Sequence, residues 1–208
     1  MSDLQELLVG STRVVALKDG ELTLPKEILL NIDEETTKKL SEENNQLTNS
    51  QINAYLIFKN EKILLVDSGC RDLFGPTCGF VHEEIAKANV KPEDITDIFF
   101  THLHSDHILG FSDIPMTGWV YHRQSPLQIY GPKGTQNFVD STSKAYKEDI
   151  NVRSQAPENL DIKGLQTKIK TIYDGFEYQN NGLTIEAFAV KHEPFAYAYG
   201  FKIYNGRY

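Results

Sequence analysis

The alternation of hydrophobic and polar positions in the first quarter of the chain predicts one strand followed by a polar segment. Residues 11–18 read as a strand, and Asp19 and Gly20 are expected to form the turn after it. Residues 22–30 lead into the stretch 33–50, which is rich in Asp, Glu, Lys, Asn and Ser. We interpret that stretch as a solvated helix and loop.

The next part of the chain predicts a strand pair and a helix. Residues 53–58 and 62–66 are two apolar runs separated by the turn 59–61, as expected for paired strands. Apolar residues then recur at i, i+4 and i+7 from Val81 to Ala88, which predicts an amphipathic helix over residues 81–89. His82 lies on this helix beside two glutamates and is interpreted as a surface histidine.

Further buried strands are predicted at 98–100, 127–130, 183–190 and 201–204. Thr135 follows a glycine-rich turn and is a candidate helix cap. Strands that alternate with helices indicate an α/β fold with functional groups at the carboxyl ends of strands.

One such strand end carries an unusual concentration of metal-binding groups. Residues 101–107 read Thr-His-Leu-His-Ser-Asp-His and directly follow the apolar run 98–100. His102 and His104 are two residues apart, so they project to the same side of an extended backbone. Asp106 and His107 follow where the chain can curl back toward the same point. Imidazole nitrogen together with carboxylate oxygen suits zinc, manganese or iron rather than calcium.

The pattern His-x-His-x-Asp-His after an apolar strand resembles the signature of the metallo-β-lactamase superfamily. The resemblance implies an α/β fold of the αββα sandwich type with a hydrolytic centre of one or two metal ions. In that family the residues matching His102 and His104 bind one metal, and those matching Asp106 and His107 bind the second. Asp67, in the Asp-Ser-Gly segment after residues 62–66, matches a residue that supports the ligand loop by hydrogen bonds.

A second predicted strand, 183–190, also ends in a histidine, His192. With the cluster at 101–107 in need of a further ligand, we predict that His192 binds metal. The isolated His122 is not predicted to be a ligand.

The resemblance is not uniform along the chain. Residues 19–90 resemble the branch that holds N-acyl homoserine lactonases and methyl parathion hydrolases, through the segments 24–25, 53–56, 66–69 and 74–77. Residues 125–203 look more like the branch of ribonuclease Z and related arylsulfatase and phosphodiesterase proteins, through 126–134, 190–192 and 198–202. In the second branch, the histidine matching His192 completes the three-histidine set of the first metal.

Length is a departure from the family pattern. Family members carry a bridging aspartate and a final histidine beyond the segment that matches residues 198–204, whereas this sequence stops at Tyr208. The expectation is therefore a single domain over residues 1–208 with the second half of the sandwich incomplete. Core surface left exposed in this way would favour homo-oligomers.

Composition narrows the class of partner and the compartment. The 208 residues carry 29 acidic and 21 basic side chains, a net charge of −8, which argues against a general nucleic-acid-binding surface. The N-terminus lacks the apolar core of a signal peptide, and no apolar run reaches transmembrane length. Cys70 and Cys78 are expected to be free thiols, although a disulfide between them stays open. We expect a cytoplasmic protein without membrane contact.

Together these features favour a zinc-dependent hydrolase, with manganese or iron as alternative metals. Asp106 is the predicted catalytic residue, orienting the attacking water. The expected substrate is a small-molecule phosphodiester, sulfate or related ester. Two alternatives remain open: a lactonase or organophosphate hydrolase, and a metal-binding remnant of weak activity.

Overall fold

The structure, a computed structural model, describes residues 4–24, 33–43 and 49–206. Residues 25–32, in the segment that leads into the polar stretch, and residues 44–48 of the predicted helix and loop lie outside the described residues. The strands in these described residues are β1 Gln5–Val9, β2 Thr12–Thr23, β3 Asn49–Lys59, β4 Lys62–Val66, β5 Asp97–Phe99, β6 Leu127–Gly131, β7 Thr167–Thr171, β8 Glu177–Asn180, β9 Leu183–Ala189 and β10 Tyr199–Asn205. The helices are α1 Glu34–Glu43, α2 Val81–Lys87, α3 Ser105–Ile108, α4 Asp113–Val120, α5 Thr135–Ala145 and α6 Lys147–Arg153.

Seven strands form a large sheet in the order β1-β2-β3-β4-β5-β6-β7. The strands β1 to β4 pair antiparallel, and β4 to β7 pair parallel. The change follows from the connections: short turns join β1 to β2 and β3 to β4, whereas helices lie between β4 and β5, β5 and β6, and β6 and β7. The carboxyl ends of β4, β5 and β6 therefore lie at the same edge of the sheet.

The strands β8, β9 and β10 form a second, antiparallel sheet in the order β10-β9-β8. Side chains that alternate along β4 and β5 separate two cores. Leu65 and Ile98 pack with residues of α2, α4 and α5, whereas Leu64 and Phe99 pack against the second sheet. The described chain thus has a helix layer, the large sheet and the small sheet, which confirms the predicted α/β class.

The expected turn at Asp19 and Gly20 is wrong, because both residues lie inside β2, where a bulge shifts the register. The carboxylate of Asp19 is fully buried and accepts hydrogen bonds from the backbone N–H of Cys70 (2.7 Å) and of Val81 (2.8 Å). Aspartate usually indicates a turn, but here the Asp19 side chain joins the loop after β4 to the sheet by hydrogen bonds.

Two smaller expectations also need correction. Thr135 is the first residue of α5 rather than its cap; its hydroxyl donates to the Pro132 carbonyl (2.8 Å), and Gly134, at φ 106°, takes the cap position. His82 is partly buried rather than on the surface, with its Nε2 2.9 Å from an Asp113 carboxylate oxygen. Cys70 and Cys78 are both free and buried. Within the described residues, no helix is both long and apolar enough to cross a bilayer.

We predict that Phe99→Ala lowers the free energy of unfolding by about 3–5 kcal/mol, the usual cost of removing a fully buried phenylalanine. The Phe99 ring is 0% exposed, stacks on Tyr130 at 4.5 Å and meets Tyr178 and Phe201 edge-on. Urea unfolding followed by circular dichroism measures the change. Tyr121→Ala, at a side chain that is 63% exposed, is the control and should change stability by less than about 0.5 kcal/mol. Equal losses in the two variants would contradict the proposed packing between the sheets.

Candidate metal centre

Three histidine rings converge at the edge of the large sheet where β5 ends. His102 Nε2 lies 3.0 Å from His104 Nδ1, and His192 Nε2 lies 3.1 Å from the same His104 atom. One ring nitrogen from each residue falls within 4.8 Å of the other two. The structure therefore places together two histidines from the strand end and a third that is 88 residues away from His104 in sequence.

The backbone explains why the first two rings face the same way. β5 ends at Phe99, and the chain stays extended through His104, whose φ and ψ are −67° and 148°. Alternate side chains of an extended segment project to one side, so His102 and His104 meet. Helix α3 begins immediately afterwards at Ser105 and turns the chain back.

The third ring is brought in by the β9–β10 hairpin of the small sheet. The loop between these strands is closed by a hydrogen bond from Val190 N–H to the Ala198 carbonyl (3.0 Å), and it carries His192 at its tip. A hydrogen bond from Tyr199 N–H to the Thr101 carbonyl (3.0 Å) fastens this hairpin to the residue just before His102. The position of His192 thus depends on the docking of one sheet on the other.

A buried carboxylate, Asp67, holds the histidine loop from below. It follows β4, is 4% exposed and has a positive φ of 58°, which is uncommon for a residue other than glycine. Its two oxygens accept hydrogen bonds from Thr101 N–H (2.9 Å), Thr101 Oγ1 (2.8 Å) and His107 Nδ1 (2.8 Å). These hydrogen bonds agree with the expectation that Asp67 supports the histidine loop.

Thr101 links this carboxylate to the first histidine. The Thr101 hydroxyl uses its single proton to donate to Asp67. Thr101 Oγ1 therefore acts as the acceptor toward His102 Nδ1, which lies 3.0 Å away. This network assigns the ring proton of His102 to Nδ1 and leaves the lone pair of Nε2 directed at the other two rings. Burial lowers the pKa of His102 to about 4, so the ring is neutral at pH 7.

Asp106 and His107 form a second group beside the three rings. His107 Nε2 lies 3.4 Å from an Asp106 carboxylate oxygen, and the ring centre of His107 is 4.2 Å from that of His102. Burial disfavours the charged ring, but the hydrogen bonds to Asp106 and Asp67 outweigh it and raise the pKa of His107 to about 10. The interaction with His107 in turn lowers the pKa of Asp106. Two carboxylates therefore surround one imidazolium.

The aromatic side chain of Phe195 packs beside two of the three rings. The ring centre of Phe195 lies 4.0 Å from that of His104 and 5.9 Å from that of His102. Phe195 also closes the loop that carries His192, through a backbone hydrogen bond to the His192 carbonyl (2.8 Å). This packing limits the directions in which the histidine rings can rotate.

The donor set fits a divalent transition metal. Ligands at 2.0–2.1 Å in a tetrahedral arrangement place neighbouring nitrogens about 3.3 Å apart, close to the two measured separations of 3.0 and 3.1 Å. Three imidazole donors suit zinc, copper, iron or nickel, whereas magnesium and calcium prefer oxygen. These three residues would hold such an ion and would leave a further position for water or substrate.

The structure brings together the five residues predicted as metal ligands, in two groups. His102, His104 and His192 share one point, and Asp106 and His107 lie beside it. His122, which was not predicted to be a ligand, is exposed at the end of α4. Sequence reasoning missed Thr101 and Phe195; the position of Thr101 directly before the first histidine was a usable signal, whereas nothing in the sequence placed Phe195 over the rings.

Comparison with known proteins gives a family and a fold. A family model described as "Metallo-beta-lactamase superfamily" matches residues 47–167. A curated relative, "Ribonuclease Z" of Mycobacterium sp. (strain KMS), is 30% identical over 125 residues, which is 59% of this chain and 44% of the relative. The chain thus spans about half the length of the curated relatives that it matches.

Two solved structures share the fold. A hydrolase of the beta lactamase superfamily, AbOPH, aligns with a TM-score of 0.60 at 17% identity and covers 91% of this chain and 71% of its own. The short form of human tRNase Z aligns with a TM-score of 0.51 at 19% identity, covering 74% of this chain and 58% of its own. At these identities the likeness concerns the fold alone.

We predict that Asp67→Asn weakens the pH dependence of stability that His107 confers. The folded-state pKa of about 10 lies above the unfolded value of about 6.5. The stabilisation is therefore complete below pH 6.5 and is lost as the pH rises to 10. Urea unfolding of chelator-treated protein at pH 7 and pH 10 should show a decrease that is about 1–3 kcal/mol smaller in the variant.

Asp140→Asn, at an exposed carboxylate on α5, is the control for this measurement and should behave like the unsubstituted chain. If Asp67→Asn showed the same decrease between the two pH values as this control, Asp67 would not be the group that stabilises charged His107.

Proposed function

The chain belongs to the metallo-β-lactamase superfamily, and from this we propose that it is a zinc-dependent hydrolase of phosphodiesters or related anionic esters. The observation that carries the proposal is the convergence of His102, His104 and His192 on one point. The family match covers residues 47–167, so His192 lies outside it and joins the centre through the fold. The chain spans about half the length of its curated relatives, so the hydrolytic activity of those whole proteins comes to this chain as a proposal.

The three imidazoles would hold the first metal. A zinc ion bound there lowers the pKa of a coordinated water to about 7 and polarises the oxygen of the bond to be cleaved. The chain prepares this ligand set before any ion binds: Thr101 fixes the ring proton of His102 on Nδ1, and Phe195 packs on His104. We propose zinc because three histidines with one position left for water form a recurrent catalytic zinc site; manganese and iron remain alternatives.

Asp106 is the proposed catalytic residue. Its carboxylate is ionised at neutral pH and lies at the end of α3 that faces the three rings, where it can accept a proton from a reacting water and orient it. His107, held by Asp67 through Nδ1, presents Nε2 beside Asp106. These two residues are the proposed ligands of a second metal, whose binding would release the proton from His107 Nε2.

The substrate class rests on likeness to relatives and on the second half of the chain. The curated relatives are named ribonuclease Z, enzymes whose name denotes cleavage of a phosphodiester in RNA. The negative net charge of this chain does not favour a large nucleic acid, so we propose a small ester. The two free, buried thiols suit a reducing compartment, and we propose the cytoplasm.

We predict that His192→Ala abolishes tight zinc binding at the first site and reduces hydrolysis of bis-p-nitrophenyl phosphate at least about 100-fold. The reason is that losing a direct ligand exceeds the 10–100-fold cost of losing a residue that only orients one. Metal content by atomic emission after dialysis and initial hydrolysis rates measure the two effects. The control is His122→Asn, at an exposed histidine whose φ of 66° asparagine tolerates. Unchanged zinc content in His192→Ala would end the proposal.

We also predict that Asp106→Asn lowers kcat by about 10²- to 10⁴-fold, the usual contribution of a positioned general base. The zinc bound by the three histidines should stay, because Asp106 is not among the atoms that share that point. Assays with an aryl sulfate and a homoserine lactone beside the phosphodiester would separate the proposed class from a lactonase. A variant that kept full kcat would exclude Asp106 from the chemistry.

A further inference from the structure

An exposed lysine stands at the edge of the sheet that carries the histidines. Lys133 lies in the turn after β6, and β6 pairs parallel with β5, so both strands end at the same edge. The histidine cluster follows β5 and Lys133 follows its neighbour. Side chains at the carboxyl ends of adjacent parallel strands border the same opening.

The turn that carries Lys133 is firmly held. The Thr135 hydroxyl donates to the Pro132 carbonyl across it at 2.8 Å. A Cβ added to Gly134 would lie 3.2 Å from Cδ1 of Leu103, the residue between His102 and His104. The backbone of Gly134, the residue after Lys133, therefore lies next to the loop that carries His102 and His104.

The loop that carries His192 contributes an aromatic side chain next to Lys133. Tyr197 lies in the loop that carries His192 and is 43% exposed. The ammonium group of Lys133 lies 5.7 Å from the centre of the Tyr197 ring. Two residues before Tyr197, the Phe195 ring covers His104 at 4.0 Å. A cation and an exposed aromatic ring thus face each other beside the three histidines.

Lys133 differs in its charge environment from Lys191, a lysine of the loop that carries His192. Lys191 has a carboxylate neighbour, Glu193, at 3.5 Å. Within the described part of the chain, Lys133 has no carboxylate oxygen within ion-pair distance. Its charge is therefore not neutralised locally, in a protein whose net charge of −8 would otherwise repel anions.

We propose that Lys133 and Tyr197 determine specificity, Lys133 by binding a negative charge of the substrate and Tyr197 by stacking on an aromatic group attached to it. The inference rests on the proposed function and narrows it to anionic esters with an aryl or heteroaromatic substituent. Lys133 binds the negatively charged non-bridging oxygens of a phosphodiester and takes no part in breaking the ester bond. Its contribution falls as ionic strength rises, because the group is exposed and screened.

The test uses the full chain loaded with zinc and two readouts. The first is the KM and kcat of bis-p-nitrophenyl phosphate at low and high salt, and the second is the dissociation constant of phenyl phosphate and of inorganic phosphate by calorimetry. The variants are Lys133→Met, Lys133→Arg, Tyr197→Leu and the control Lys144→Met, an exposed lysine at the far end of α5.

Lys133→Met should raise KM and weaken both phosphates about tenfold at low salt, with kcat and zinc content unchanged. The difference from the unsubstituted chain should shrink at high salt, and Lys133→Arg should restore most of the binding. Tyr197→Leu should weaken phenyl phosphate but leave inorganic phosphate as before. Lys144→Met should change none of these values.

The inference is overturned if Lys133→Met binds both phosphates as the control does. A zinc-loaded chain that binds phosphates through Lys133 but hydrolyses no diester would instead contradict the proposed function, because calorimetry requires no turnover. Loss of zinc or of thermal stability in Lys133→Met would assign the lysine a structural role and also overturn the inference.

Discussion

The buried carboxylate of Asp67 is the constraint on which the candidate site depends. A carboxylate in this position is costly to bury unless it finds hydrogen-bond donors. It finds them in the backbone and hydroxyl of Thr101 and in the ring of His107, and so it fixes the start and the end of the histidine loop at once. The proton on His102 is set one step further along the same network. Without the Asp67 carboxylate, Thr101 would no longer hold the His102 ring in place, although Asp67 does not itself contact that ring.

The centre is assembled from parts that have separate reasons to be where they are. The parallel pairing of β4, β5 and β6 brings three strand ends to one edge, and the aromatic packing of Phe99 between the sheets positions the small sheet that supplies His192. The chemistry is therefore held by the core of the sandwich as much as by the loop. Chemical donors and mechanical support come from different segments of the chain, as is common where a rigid scaffold presents reactive side chains.

The sequence was sufficient to predict the strands that alternate cleanly and the residues that the fold brings together at the end of β5. Residues 53–58, 62–66 and 183–189 form strands because their periodicity is local and is reinforced by packing. Asp19 was misinterpreted because its preference for turns was overruled by two distant backbone donors. Phe195 and Lys133 could not be placed from sequence, since their meaning lies in what the hairpin and the β6 turn face across the opening.

The 88-residue separation between His104 and His192 has a consequence for the stability of the whole chain. An ion that bridges these residues would act as a removable cross-link between the two sheets, closing a very long loop in the unfolded chain. In the chain-entropy description, a covalent link of that span contributes about 4.5 kcal/mol, and a bound metal adds stability that grows with its free concentration. The supply of metal in the surroundings would then govern how long the protein survives proteolysis, as well as whether it works.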